Sequence, residues 1–295
     1  MSRWDEFLET LQTSVATFEG ANVEAIKNTV LSGDPNAPSK AKGGACIVLN
    51  MAAADVPDFC RDGYKNIYQL ETDYRLKKER RLVQVGDPPK VSETRKFVDK
   101  ALDAARGIKP EVTYFAAIEL SGPGIRFYGD ICLVLKRNDA VRNAWLLDRN
   151  SYDLVRNPIN QEIKGSAALA MAKVSEHSFQ FDPYLQSVSV RKVMEQTTAP
   201  DRRLTAGEIA EKLRADEDYI EVFWQQPITA EDILEARSSA SDAAAEALTT
   251  AQLRTGPAPS LAQLTSRAQR GAAQRALRKA RVPFRVVTTS GRIKG

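Results

Sequence analysis

The run from Val112 to Leu135, "VTYFAAIELSGPGIRFYGDICLVL", limits the fold more than any other stretch. Its two ends, "VTYFAAIEL" and "ICLVL", are dominated by β-branched, aromatic and other apolar residues, the composition of buried strands, and "SGPG" between them is a turn signal. Residues 1–110 before it and 199–253 well after it read as mainly helical. The chain therefore belongs to the α+β class: a mainly helical N-terminal region (1–110), a central mixed sheet in an α+β core (111–198), a helical region (199–253), and a basic linker with a helix-and-hairpin tail (254–295).

The helical reading rests on spacing. Trp4, Phe7, Leu8, Leu11 and Val15 recur with helical period, Gly20 is a stop, and Val23, Ile26 and Val30 line a second helix. "ACIVLNMAAADV" fits a buried strand or a buried helix equally. A helix over 65–81 turns Ile67, Leu70 and Tyr74 inward, and another over 92–106 presents Val98, Leu102 and Ala105 before Gly107 and Pro110 close it. In the core, 125–135 gives one or two strands interrupted at Gly129, and "AWLL" gives another. "INQEIKG" and "SVSVRKVM" add strands around a helical "SAALAMAKV". Thr205 with Glu208, and Thr229 with Asp232, have the spacing of capping boxes and start helices. The last helix is expected over 271–280, followed by a hairpin in "FRVVTTSGRIKG".

Composition removes several chemistries. The three cysteines form no Cys-x-x-Cys pair, which argues against a disulfide framework or a cysteine zinc site. A single histidine, His177, excludes multi-histidine metal sites, and no Gly-x-Ser-x-Gly elbow supplies a nucleophile. No metal site built on histidine or cysteine is expected on these grounds. An enzyme built from this chain would work with carboxylates, arginine and hydroxyls. No apolar run approaches the roughly 18 residues of a membrane span, and the N-terminus lacks the order of a signal peptide, so no membrane partner and a cytoplasmic location are expected.

Charge is unevenly distributed. Of the 42 basic residues, ten fall in 247–295, where no Asp or Glu occurs; residues 1–246 carry 32 basic against 38 acidic side chains. A basic tail on an acidic body suits an anionic partner. Arg275, Arg278 and Lys279 stand at i, i+3 and i+4 and share a helix face, with Arg270, Arg281 and Arg285 extending the set. Such a face can neutralise several phosphates, and nucleic acid is the expected partner. Leu261, Leu264, Thr265, Gln274, Leu277, Phe284, Val286 and Gly291-Arg292 give the tail a pattern that resembles small prophage-encoded DNA-binding proteins, which implies DNA contact and a phage or mobile-element setting.

The candidate catalytic residues lie in the centre: Arg126, Tyr128, Asp148, Ser151 and Glu162. "RFYGDICLVLK", then "LDRNSYD", then "QEIKG" resembles the ADP-ribosyltransferase domains of phage-head and bacterial toxin proteins, matched at Arg126, Tyr128, Gly129, Ser151 and Glu162. Position 160 is Asn, so the last segment carries one acid rather than a Glu-x-Glu pair. The resemblance implies NAD as cofactor, with Arg126 on its pyrophosphate, Tyr128 against nicotinamide, and Glu162 stabilising an oxocarbenium-like centre. Asp148 with Glu162-x-Lys164 also has the residue types of a Mg²⁺-dependent nuclease, where carboxylates bind the ion and the lysine assists an activated water.

Overall fold

The computed structural model describes residues 20–31, 44–79, 89–137, 139–156, 165–198, 202–215 and 218–287. The chain folds as α+β, with helices on both faces of an eight-stranded mixed sheet. The strands are β1 (Cys46–Met51), β2 (Tyr114–Glu119), β3 (Ile131–Leu135), β4 (Trp145–Leu147), β5 (Ser178–Gln180), β8 (Glu221–Trp224), β9 (Ile233–Ser239) and β10 (Phe284–Val287), while β6 (Arg214–Ala215) and β7 (Asp218–Tyr219) pair separately. The order across the large sheet is β10-β9-β3-β1-β2-β8-β4-β5. Among the described strands only β9 and β10 run parallel; the other neighbours are antiparallel. The sheet thus takes strands from each of the four segments read from the sequence.

Alternation along the strands sorts the core into two layers. Ile47 and Leu49 of β1, Ile118 of β2, Ile131, Leu133 and Leu135 of β3, and Val222 and Trp224 of β8 point to one face. There they meet helices α1 (Gly20–Leu31), α2 (Val56–Asp62), α6 (Phe181–Glu195), α7 (Ala206–Leu213) and the C-terminal half of α9 (Leu261–Lys279), through residues such as Ile26, Phe59, Val188, Ile209 and Leu277. The opposite face is divided. Over β4 and β8 it is closed by α4 (Glu93–Arg106) and α5 (Ala167–His177), through Val98, Leu102, Ala170 and Val174. Over β1 and β3 it carries Cys46, Val48, Cys132 and Val134 and is covered by Ile125 and Tyr219.

Several local expectations are decided or corrected. The ambiguous "ACIVLNM" is a strand. The segment 125–135 holds a single strand, because Arg126–Tyr128 forms a 3₁₀ turn ahead of Gly129. "SVSVRKVM" lies inside α6: Leu185, Val188, Ser189, Lys192 and Val193 are buried at helical spacing, and the alternating valines only imitate a strand. Thr229 and Asp232 do form a capping box, but it caps one 3₁₀ turn that leads into β9 rather than a helix. Helix α8 begins later, at Ala240, and runs to Thr255 with Ser239 as its N-cap. Helix α9 starts at Leu261, ten residues before the expected Gly271. In α3 (Ile67–Glu79) Leu70 is exposed; the helix is held by polar contacts, including Gln69 to the Tyr114 hydroxyl at 3.2 Å. "INQEIKG" as far as Lys164, the first expected helix and the second half of the C-terminal hairpin lie outside the described residues. Among the described residues, no helix is long and apolar enough to cross a membrane.

Candidate functional site

The loop from Leu120 to Asp130 is fastened to the sheet by Asn50. The Asn50 side chain donates to Pro123 O and Gly129 O, each at 3.0 Å, and its Oδ1 accepts from Ile125 N at 2.8 Å. Asp130 Oδ1 accepts from Ala53 N at 2.9 Å. Gly129 has φ +151, and a Cβ there would fall 2.0 Å from the Met51 carbonyl carbon, so no other residue fits without moving β1. The turn Arg126–Tyr128 is consequently held in one place, and it leaves Phe127 63% and Tyr128 47% exposed.

Beneath Tyr128 lies a polar network that the sequence did not announce. The Tyr128 and Tyr219 hydroxyls are 3.0 Å apart. Two residues along from Tyr219, Glu221 is buried on the same side of the strand path, and its Oε2 accepts from Ser151 N at 2.8 Å. Arg95 Nη1 reaches Ser151 Oγ at 3.4 Å, and its Nε and Nη2 both bond Asp99 Oδ1. Tyr68 donates to the other Asp99 oxygen at 2.7 Å. The Arg95 guanidinium stacks 3.9 Å over the Phe115 ring and 5.3 Å from that of Tyr152. Asp99 is thus the carboxylate paired with the guanidinium, and the buried Glu221 lies within its field. Burial pushes the Glu221 carboxyl above its ordinary range, with Arg95 opposing. Burial and the nearby Glu221 likewise raise the Tyr219 hydroxyl. Tyr128 is raised mainly by burial.

The other sequence-level candidates sit elsewhere. Asp148 is fully buried after β4 and is met by His177 Nδ1 at 3.0 Å, Arg149 Nε at 2.9 Å and Arg191 Nη1 at 3.2 Å. Burial works against its ionisation, but the His177 bond and the two arginines outweigh it and hold Asp148 below the usual carboxylate range. Arg126 turns away from Tyr128 to Asp242, at 2.6 Å in the first turn of α8. Glu162, with Lys164, falls outside the described residues. Of the five expected catalytic residues, then, Tyr128 and Ser151 come together, through Tyr219 and Glu221. Arg126 and Asp148 are committed to separate ion pairs. Among the described residues, no group of three or more His, Cys, Asp and Glu side chains could hold a metal ion.

The basic residues of the tail divide by burial. Arg270 is 4% exposed and is used internally: it meets Asp130 at 2.7 Å, Glu246 at 3.3 Å and Ser238 Oγ at 2.9 Å. Its guanidinium is therefore not on offer to a partner, because an exposed face was inferred from a helix whose other side packs on the sheet. Arg285 is half-buried and lies 3.5 Å from the buried Glu235. Arg275, Arg278, Lys279 and Arg281 are exposed, as are Arg254 and Arg267. Helices α8 and α9 form an antiparallel pair joined through Gly256–Ser260. From Ala251 to Gln269 every residue is exposed except Gln252, Pro259 and Gln263, which are half-buried. This part of the hairpin stands clear of the body. Gln263 to Gln252 (3.4 Å) and Arg267 to Thr250 Oγ1 (3.0 Å) hold its two helices to each other.

No family model, no curated protein and no solved structure matches the chain.

Proposed function

We propose that the protein contacts nucleic acid through the α8–α9 hairpin and the turn that follows it. The observation that carries this is the exposed basic set on that module, Arg254, Arg267, Arg275, Arg278, Lys279 and Arg281, in a segment (247–295) without one acidic residue. Phosphate is the anion that such a spaced array of point charges fits, and counterion release would drive the association. The sequence pattern of the tail suits a protein of phage or mobile-element origin.

The test is fluorescence anisotropy with labelled oligonucleotides across a salt series. Neutralising about four phosphates gives a slope of log K against log salt near −3 to −4. Replacing Arg275, Arg278 and Lys279 together by Ala is expected to flatten the slope by about 2 to 3. Binding unaffected by these changes would remove the hairpin from the reading.

A second reading has its own observation, the meeting of Tyr128 and Ser151 around Glu221. Under it the same chain carries an NAD-consuming transferase of the ADP-ribosyltransferase kind, with Tyr128 as the aromatic at the rim and Glu221 as the carboxylate. Release of nicotinamide from NAD, lost in Glu221→Gln, supports it; no release by the intact protein rules it out.

A further inference from the structure

We propose that the exposed turn Phe127–Tyr128 is a base-stacking platform and that the nucleic acid it receives is single-stranded. This deepens the nucleic-acid reading and rests on it.

Three observations bear on the turn. First, it exposes two large aromatic rings side by side, edge to face with centroids 5.1 Å apart. Second, the rings are preorganised. Asn50, Gly129 and Asp130 fix both ends of the turn, and the Tyr128 hydroxyl is held by Tyr219. A ligand meeting them has little side-chain motion to freeze. Third, the turn is braced to both helices of the basic hairpin: Arg126 to Asp242 of α8, and Asp130 to Arg270 of α9. Arg267 stands three residues before Arg270, about 4.5 Å along the helix axis, and is exposed. The aromatic turn therefore stands at the root of the hairpin that carries the basic set.

Exposed rings beside a basic track select for unstacked bases. In a duplex the base faces are covered, and a pair of rings on a rigid turn has nothing to stack on; in a single strand every base offers a face. The fit is to single-stranded DNA or RNA without sequence preference.

The experiment compares a labelled 20-nucleotide oligo-dT with a duplex of the same length, using the full chain. Phe127→Ala/Tyr128→Ala is expected to lose roughly tenfold or more in affinity for oligo-dT and to change duplex affinity little. Tyr128→Phe, which keeps the ring and drops the bond to Tyr219, is expected to retain oligo-dT affinity. Thermal unfolding of each variant shows that the fold is kept. If the aromatic variant binds oligo-dT as tightly as the parent while the Arg275/Arg278/Lys279 variant does not, the platform is overturned and the hairpin reading stands. If heparin competes equally with the parent and the aromatic variant, and both prefer duplex, the surface is a polyanion binder and the platform again fails. Absence of affinity for either oligonucleotide overturns both.

Discussion

Arg270 Nη1 lies 2.7 Å from Asp130 Oδ2, a contact between residues 140 apart in the chain. It joins the helical hairpin to the loop that carries Phe127 and Tyr128. Arg270 is buried, Asp130 and Glu246 are partly solvated, and Ser238 is buried, so the guanidinium satisfies three groups from three elements. Removing it leaves two carboxylates without their counter-ion. Arg270→Ala is expected to destabilise the fold by about 2–3 kcal/mol in urea unfolding, below the full cost of a wholly buried pair because Asp130 keeps some water. A double-mutant cycle with Asp130→Ala should return a coupling of about 1–2 kcal/mol. A coupling near zero would show that the contact is not what holds the hairpin.

Asp148 supplies a pH signature. Its folded-state pKa is depressed, so the unfolded chain takes up a proton first as pH falls. The stability it contributes is complete above the ordinary carboxylate range, near pH 4, and is lost as pH drops through the lower folded value. Asp148→Asn should therefore be less stable than the parent at pH 7, by about 3 kcal/mol given the three partners left behind, and the gap should close in strong acid. Melting temperatures from pH 2 to pH 7 check this. A gap that does not change with pH would mean that the substitution costs packing rather than charge.

Glu221 has the opposite sign. Its folded-state pKa is raised by burial, so the cost of ionising it is absent in acid and grows as pH climbs from the ordinary glutamate range through the raised value. Glu221→Gln keeps an oxygen for Ser151 N and removes the titration. The variant should match the parent near pH 4 and exceed it in stability above neutrality. Equal pH profiles for the two proteins would contradict a strained carboxyl at this position.

Much of the architecture was legible because burial imposed period. β2, β3 and β4 stood out as apolar runs, and α4 showed both its buried stripe and its caps. β9 was hidden because Glu235 and Arg237 lie buried on it, paired at 2.7 Å, with Arg237 Nη1 also reaching Leu120 O and Gly122 O at 3.2 and 3.3 Å. Two charges in seven residues read as a solvated helix until the pairing is seen. The candidate site was half legible for a similar reason. Tyr128 and Ser151 sit in conspicuous polar loops, whereas Glu221 and Arg95 look like surface charges, and only the packing of α4 on the sheet beside the Ser151 turn buries them together. "DYIEVFWQQ" did carry a signal in its Tyr219, Ile220, Val222, Phe223 and Trp224, the makings of a central strand, and the flanking acids masked it.

The end of α9 offers a test in which stability and binding move apart. Val282 N bonds Leu277 O at 2.9 Å and Arg281 N bonds Arg278 O at 3.0 Å, the two bonds of a Schellman motif, with Arg281 at the left-handed position, φ 60. An L side chain there crowds its own carbonyl, at a cost of roughly 1–2 kcal/mol that glycine avoids. Glycine gives part of that back through the greater freedom of the unfolded chain. Arg281→Gly is therefore expected to raise stability by about 0.5–1 kcal/mol in urea unfolding, while Arg281→Val, β-branched at the same angle, lowers it. Arg281 also belongs to the exposed basic set. The same glycine variant should then bind oligonucleotides more weakly, with a salt slope shallower by about 1. A more stable protein with reduced affinity separates the two roles of this residue; a glycine variant no more stable than the parent would mean that the turn is relaxed with arginine in place.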